Sequence, residues 1–356
     1  MRKSRFWPID ERLAHWHPVL PERDLGSKPA ELLVCGVPIV LYRAAGKIHA
    51  LYNRCAHRRA PLSKGRIEGD TLVCAYHGCS FAGDGAGYCP TTKSHRFSVP
   101  RFEVQQNFGT IWLRSPDAVE WTDAQTEIVP ALFDEDQNFA GLISKTIAAP
   151  LQLVVDNMTE LEHTGEVHRS LAFGADEYDT IETTSSVQGD QVHIFYSGQQ
   201  RKLPIHLRAL TGLKSGDFYV QTATVGFQPP HAVYDINWHE GSANGPQRDF
   251  ALRFVIYYTP IDSRNTRLYA FVFWQHKAGL PTAAMHLSAP VLRAVVSQEL
   301  ERDKRIIEAM PLDEASIDMF QLNKFDRPLV MTRKAMLRLY PWEGQDVPRN
   351  VVEAAE

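Results

Sequence analysis

The sequence lacks both an excess of positive charge and a long apolar run. Its 38 basic residues are outnumbered by 42 acidic ones, for a net charge of -4, whereas proteins that bind nucleic-acid phosphates usually carry a basic stripe. The most apolar stretch, 32–42, contains Gly36 and Pro38 and is shorter than the roughly 18 residues of a membrane span. We therefore expect neither a nucleic-acid partner nor insertion into a membrane.

Cysteine is also scarce. The five cysteines lie between 35 and 89, and an odd number in a chain of this length does not indicate a disulfide framework. The charged N-terminus, MRKSRFWPIDERL, lacks the apolar run of a secretory signal. Both features predict a reducing, cytoplasmic location. Three of the cysteines, Cys35, Cys79 and Cys89, are expected to be small buried thiols.

The chain divides into two unlike parts. Its 356 residues, 44% of them apolar, suffice for about two domains. From about 30 to 116, short β-branched and aromatic runs alternate with glycine turns, which predicts an all-β module. A polar stretch around 116–130 follows. We therefore predict an all-β domain over 1–120 and a second domain over 121–356.

The second domain combines helices and strands. A helix is predicted after Pro150 and another over about 289–309, and four runs of bulky residues between about 180 and 275 are typical of strands. Because these strands carry bulky side chains on both faces, we predict a curved antiparallel sheet flanked by helices, which can enclose a pocket. The predicted fold class is α+β.

Two cysteines and two histidines form the first candidate metal site. Sixteen residues separate the pair Cys55 and His57 from the pair Cys74 and His77, so each of two loops carries one thiolate and one imidazole. A single zinc ion is one alternative, although zinc fingers space their cysteines two to four apart, and a chance arrangement is another. The mixed pairs favour a Rieske [2Fe-2S] cluster, in which the cysteines bind one iron and the histidines the other.

The segment DNMTELEHTGEVH, residues 156–168, carries the second candidate site. If it is helical, a rotation of about 100° per residue places Asn157, Glu160 and His163 on one face, and His168 follows one turn later. Two imidazoles can then converge on one ion, as in Fe(II) enzymes that activate oxygen with two histidines and a carboxylate. The alternative is that both histidines lie on a helix surface and bind nothing.

Asp303 is the candidate for the carboxylate ligand. In the predicted C-terminal helix it interrupts an apolar stripe formed by Val296, Leu300 and Ile307. A charged side chain on the buried face of a helix is costly unless it is paired or binds a metal. Metal ligation is therefore one interpretation, and an ion pair with an arginine is the other.

These motifs resemble those of a known family. The block CAHRRAPLSKGRIEGDTLVCAYHG is similar to the C-x-H-R-x-x-x-L-x-x-G…C-x-Y-H-G block of Rieske-type non-haem iron oxygenases, with Ala56 and Cys79 where proline and tryptophan are common. Residues 156–168 resemble the family's N-x-x-D-x-x-H-x4-H iron motif, and ERDKRIIEA resembles the region of its third ligand. The resemblance is to single-component oxygenase subunits of the vanillate and dicamba demethylase and aminopyrrolnitrin oxygenase kind.

The resemblance implies roles for the candidate residues. The four residues of the first site would hold the [2Fe-2S] cluster. His163, His168 and Asp303 would bind a mononuclear Fe(II), and Asn157 would lie close to the metal without being a firm ligand.

Glu160 occupies the position of a bridging residue in this family. There an aspartate connects an iron-bound histidine to the cluster histidine of a neighbouring subunit. By that resemblance Glu160 would accept hydrogen bonds from His163 and from the partner subunit's His77. The alternatives are that Asp156, one turn away, replaces it, or that Glu160 is an exposed helix residue.

The resemblance also implies an activity. A flavin/ferredoxin-type reductase would supply electrons from NAD(P)H to the cluster, and O2 would be used to oxygenate a small organic substrate by hydroxylation, oxidative demethylation or N-oxygenation. The substrate stays open among aromatic, heterocyclic and alkyl-amine classes. A homotrimer is implied as well, because the two metals within one such subunit lie too far apart for fast electron transfer. The alternative is a Rieske-type electron carrier or binding protein with an inactive C-terminal domain.

Overall fold

The protein is described by a computed structural model. The described residues are 11–116, 138–276, 282–311 and 320–340. The chain forms two compact units: Met1–Ile128 with Thr259–Asp262, and Val129–Tyr258 with Ser263–Glu356. The predicted boundary between 120 and 121 lies outside the described residues and stays a prediction.

The first unit is all-β. Its larger sheet has the spatial order β1-β11-β10-β4-β3-β2 and consists of β1 (His17–Pro21), β2 (Ala30–Val34), β3 (Val37–Ala44), β4 (Lys47–Tyr52), β10 (Arg101–Asn107) and β11 (Thr110–Arg114). Its smaller sheet runs in sequence order through β5 (Arg66–Glu68), β6 (Thr71–Val73), β7 (Ser80–Phe81), β8 (Ala86–Cys89) and β9 (Ser94–Ser98). Apolar side chains from both sheets, such as Val40, Leu51 and Leu72, are fully buried in one core.

Two loops extend from this core. One joins β4 to β5, the other joins β6 to β7, and the hairpin of β5 and β6 lies between them along the chain. The hairpin turns at Gly69, whose φ of 59° is in the left-handed region that glycine adopts without steric cost. The short strands therefore hold the ends of both loops.

The second unit is built on a seven-stranded antiparallel sheet. Its spatial order is β12-β18-β17-β16-β15-β14-β13. The strands are β12 (Asn138–Ile147), β13 (Glu182–Gln188), β14 (Gln191–Gln199), β15 (Asp217–Phe227), β16 (Pro230–Glu240), β17 (Gln247–Pro260) and β18 (Thr266–His276). Buried residues alternate along β15 and β16, among them Tyr219, Gln221, Ile236 and Trp238. One face of the sheet is thus turned towards the interior of this unit.

Among the described residues, four α-helices belong to this unit: α1 (Leu151–Thr159), α2 (Ile205–Thr211), α3 (Thr282–Ala309) and α4 (Arg327–Leu339). Helix α3 packs against β12, while α4 packs against α1 and the strands β13 to β15. The predicted α+β class is confirmed. The predicted start of the last long helix at 289 is wrong, because α3 begins at Thr282 and includes Pro290, a residue that in sequences usually marks a first helical turn.

Helix α1 begins after Pro150, as predicted, but does not continue through the second motif. It ends at Thr159, and Glu160 has extended backbone angles, φ -96° and ψ 149°. A separate 3-10 turn over Glu162–Gly165 carries His163. The prediction of one helical face for the whole motif is therefore wrong. Among the described helices, none has the length and apolar character that crossing a bilayer needs.

Candidate metal centres and cavity

The two loops of the first unit carry the four predicted cluster ligands. Cys55 and His57 follow β4, and Cys74 and His77 follow β6. The ring centroids of the two histidines lie 4.7 Å apart, and the two cysteines are buried and close enough to interact electrostatically. The structure thus brings thiol to thiol and imidazole to imidazole. A Rieske cluster needs this pairing, with one residue type for each iron.

The chemistry of these four side chains fits a metal cluster. Burial, together with the nearby Cys74 thiol, raises the pKa of Cys55 to about 11, so a thiolate there requires a positive charge beside it. The Nδ1 atom of His57 is buried and has no hydrogen-bond partner among the described residues. Burial, His57 and Arg58 lower the pKa of His77, which favours the neutral imidazole that binds metals.

The cysteines beside this site correct one prediction. Cys79 and Cys89 were expected as thiols, but they form a disulfide and both are fully buried. The adjacent pairing of Ser80 with Tyr88 in strands β7 and β8 brings the two cysteines face to face. The sequence analysis did not predict this disulfide, because the odd number of cysteines argued against disulfides. Cys35 is a buried thiol, as expected.

The second unit brings the three predicted iron ligands together. Nε2 of His168 lies 2.9 Å from Oδ1 of Asp303, and Nε2 of His163 lies 3.4 Å from the same oxygen. The ligand atoms of all three residues are within 4.8 Å of one another. Asp303 is almost fully buried and contacts these two histidines, which argues against the alternative of an arginine pair.

The carboxylates of this site attract positive charge, which a divalent metal would supply in place of the proton on His163. Burial alone would lower the pKa of His163, but Asp303 and Glu160 raise it to about 10. Burial would raise the pKa of Asp303, and the two histidines lower it to about 2. Nε2 of His163 is buried without a well-aligned hydrogen bond to any described residue, since its 3.4 Å contact with Asp303 is long. This nitrogen, the imidazole of His168 and the carboxylate of Asp303 together form the ligand set that suits Fe(II).

Glu160 holds His163 in place. Its Oε1 lies 2.5 Å from Nδ1 of His163, and its Oε2 accepts a hydrogen bond from the His163 main-chain N–H at 3.1 Å. The Glu160 side chain is only 16% exposed, so it is not an exposed helix residue. A carboxylate on the outer nitrogen of a ligand histidine fixes the ring orientation and leaves Nε2 for the metal.

Asp156 does not take this role. It is buried and accepts hydrogen bonds from the guanidinium of Arg333 on α4, including two of 3.0 Å from Nε. The expectation that Asp156 could replace Glu160 is therefore wrong, because its carboxylate is already paired. The pair instead connects α1 to α4.

A cavity adjoins the triad. Asn157, Glu160 and the three candidate ligands line it together with apolar side chains from the sheet and α3. Asn157 is buried, and its Oδ1 has no hydrogen-bond partner among the described residues. Asn157 thus lies beside the predicted metal position, and no contact assigns it as a ligand.

Arg201 is a residue of this site that sequence reasoning missed. Its guanidinium donates to the main-chain oxygens of Thr164 at 2.5 Å and Gly165 at 3.2 Å, and also to those of His168 and Phe173. These carbonyls belong to the loop that carries both histidines. Because Arg201 contacts only main-chain atoms of the loop, no pattern of side chains in the sequence predicts its role. The sequence shows only a single arginine after a predicted strand.

Two family models match the chain. The Rieske [2Fe-2S] domain matches residues 15–103. The vanillate O-demethylase oxygenase C-terminal domain matches residues 147–340. These ranges contain the first and second candidate metal sites, respectively.

Curated relatives match over part of their length. The vanillate O-demethylase oxygenase subunit of a Pseudomonas species is 35% identical over 167 residues, which are 45% of this chain and 49% of that protein. The dicamba O-demethylase oxygenase component of Stenotrophomonas maltophilia is 32% identical over 178 residues, 48% of this chain and 51% of that protein. The chain thus spans about half the length of these relatives.

Solved structures share the fold. Dicamba monooxygenase bound to 3,6-dichlorosalicylic acid superposes with a TM-score of 0.73 at 21% identity, covering 92% of this chain and 97% of that chain. Pseudomonas putida NdmA with caffeine superposes with a TM-score of 0.63 at 19% identity, covering 91% and 90%. At these identities the likeness concerns the fold alone.

Proposed function

Because this chain belongs to the Rieske-type non-haem iron oxygenases that carry the C-terminal domain of vanillate O-demethylase oxygenase subunits, we propose that it oxygenates a small organic substrate with O2 and electrons from NAD(P)H. We assign the [2Fe-2S] cluster to Cys55, His57, Cys74 and His77. We assign the mononuclear Fe(II) to His163, His168 and Asp303.

One observation carries this proposal. His163, His168 and Asp303, which come from a 3-10 turn, the following loop and a distant helix, place three ligand atoms within 4.8 Å at the wall of an apolar cavity. A binding protein has no need for two histidines and a buried carboxylate at this point. In the alternative, an electron carrier with an inactive second domain, the buried Asp303 would have no role.

The side chains around the cavity have separate tasks. When bound, Fe(II) supplies the positions at which O2 and substrate can meet. Glu160 holds the His163 ring so that Nε2 faces the metal position. Apolar residues such as Leu161, Phe254 and Leu300 line the cavity and keep bulk water away from the reacting atoms. Arg201 fixes the backbone of the ligand loop.

The leading reaction is oxidative demethylation. Relatives named for it act on vanillate, dicamba and methylxanthine at the N1 position, and attack on a methyl group releases formaldehyde. Hydroxylation and N-oxygenation are the other reactions that an iron bound by the same three ligands could carry out.

The electron route involves partners. We propose a flavin/ferredoxin-type reductase as the donor and the cytoplasm, where NAD(P)H is available, as the location. Arg58 and Tyr76 are exposed on the cluster loops and suit a docking surface for an acidic reductase domain. We further propose a homotrimer in which Glu160 connects His163 to the partner subunit's His77.

The test is substrate-dependent oxygen consumption by the reconstituted protein with a reductase and NADH. A compound that raises oxygen uptake above the uncoupled background, with formaldehyde formed in proportion, supports a demethylase. Product without formaldehyde supports hydroxylation or N-oxygenation. A reducible cluster with no substrate-dependent uptake across a broad panel would favour the electron carrier.

A further inference from the structure

The walls of the cavity restrict the chemistry of the substrate. Resting on the function proposed above, we propose that the substrate is a small uncharged aromatic or heteroaromatic molecule and that Gln221 binds a hydrogen-bond acceptor on it. Three observations on the described residues carry this inference: the walls are apolar, the charged groups of the wall are already paired, and one buried amide lacks a full set of partners.

Most of the cavity wall is apolar. Leu161, Leu171, Ile236, Phe254, Val296 and Leu300 belong to it. These side chains come from the ligand loop, two neighbouring strands and α3, so apolar surface faces a ligand from several sides. A flat apolar ring system gains dispersion and hydrophobic energy from such walls.

The described part of the wall offers an anionic substrate no lysine or arginine to pair with. A carboxylate or sulfonate bound away from the metal would therefore be buried without a counter-charge, which is costly. Among the described wall residues the basic groups are the two histidines, which contact Asp303 and are assigned to the metal by the proposed function.

The acidic residues of the wall are not available to a cation either. Asp303 and Glu160 contact the histidines. Glu299 accepts hydrogen bonds from the Arg302 side chain at 2.5 Å and from the Arg169 main-chain N–H. A positively charged substrate would have to displace one of these partners. An uncharged substrate needs no counter-charge from the wall and displaces none of these partners.

Gln221 supplies a polar contact in this apolar wall. It lies on β15, is 3% exposed and lines the cavity. Its Oε1 accepts a hydrogen bond of 2.5 Å from the hydroxyl of Tyr219, while its amide nitrogen donates to no described residue. A donor in the cavity wall with no partner among the described residues is available to an acceptor on the ligand, which would gain a hydrogen bond there.

The test compares matched ligands on the reconstituted holoprotein under anaerobic conditions. Binding of methyl anisate, which is a neutral ester, anisate, which is its carboxylate, and p-methylanisole, which lacks the carbonyl, is measured by calorimetry. We expect the ester to bind at least about tenfold more tightly than the carboxylate. The Gln221→Leu variant should weaken ester binding about tenfold and leave p-methylanisole binding within about twofold.

The neighbouring exposed residue provides the control. Thr222 follows Gln221 on the opposite side of β15, so Thr222→Ala should leave the affinity of all three ligands unchanged. Equal or tighter binding of the carboxylate, an equal effect of Gln221→Leu on all ligands, or failure of both neutral ligands to bind would overturn the inference.

The two proposals fail in different ways. Substrate-dependent oxygen uptake with anionic compounds alone would leave the oxygenase function standing and overturn the uncharged substrate. The expected binding pattern without substrate-dependent uptake of oxygen would retain the inference about the cavity and overturn the oxygenase function.

Discussion

At the scale of single residues, Glu160 has the clearest testable role. Both of its oxygens contact His163, one at the ring and one at the main chain. The Glu160→Gln variant retains one oxygen acceptor but removes the charge that orients and polarises the imidazole. We expect a loss of about 10- to 100-fold in turnover or in iron affinity, measured by single-turnover assays and by metal content.

A neighbouring glutamate offers a matched control. Glu166 is exposed and follows His163 by three residues, so Glu166→Gln should have no comparable effect. Equal turnover and iron content in Glu160→Gln and Glu166→Gln would contradict the role assigned to Glu160.

The candidate ligands could be predicted because their side chains carry the chemistry. Cys55 and His57 have the residue types and the spacing that a cluster loop needs, and Asp303 breaks an apolar stripe. Arg201 could not be predicted, because it acts on main-chain carbonyls that any sequence provides. The disulfide of Cys79 and Cys89 depends on the pairing of β7 with β8, which local sequence does not specify.

At the scale of elements, the loop that carries both histidines depends on Arg201. A lysine can bond fewer carbonyls than the forked guanidinium. We therefore expect Arg201→Lys to weaken Fe(II) binding by the second unit about 10- to 100-fold, measured by competition with a chelator, while the cluster spectrum of the first unit is retained. The adjacent exposed Lys202 provides the control, Lys202→Gln. Unchanged Fe(II) affinity in Arg201→Lys would exclude a positioning role.

The pairing of α1 with α4 depends on a buried ion pair. Burial raises the pKa of Asp156 to about 6 even though Arg333 opposes the shift, which indicates that the carboxylate is costly without its partner. We expect Arg333→Ala to lower the free energy of unfolding by about 3 to 5 kcal/mol, measured by denaturant titration.

Another arginine of α4 tests the specificity of this effect. Arg338 pairs with Asp190 in an exposed position, so Arg338→Ala should cost at most about 1 kcal/mol. Similar losses in the Arg333→Ala and Arg338→Ala variants would show that burial of the Asp156 pair does not matter.

Strands were easier to predict than the end of α1. The run DFYVQTATVGF is rich in aromatic and β-branched residues, and the whole run forms β15. Helix α1 ends where the sequence continues with good helix formers. At this point Glu160 has an extended backbone, and its side chain accepts the His163 main-chain N–H and contacts the His163 ring. This use of a glutamate follows from tertiary packing, not from helix propensity.

At the scale of the whole molecule, the order of an all-β unit and an α+β unit could be predicted from the change in composition. The assignment of Thr259–Asp262 to the first unit could not be predicted, because it joins residues that are far apart in sequence. The substrate could not be predicted from the sequence either, because the cavity wall combines residues of the ligand loop, the sheet and α3, which are far apart along the chain.

The central claim is that one chain carries two iron centres. It is tested most directly by measuring iron and acid-labile sulfide per chain in the purified, reconstituted protein and in Asp303→Ala. We predict about three irons and about two sulfides in the wild type, and about two irons with unchanged sulfide in the variant. Two irons in both proteins, or one zinc without sulfide, would contradict the account.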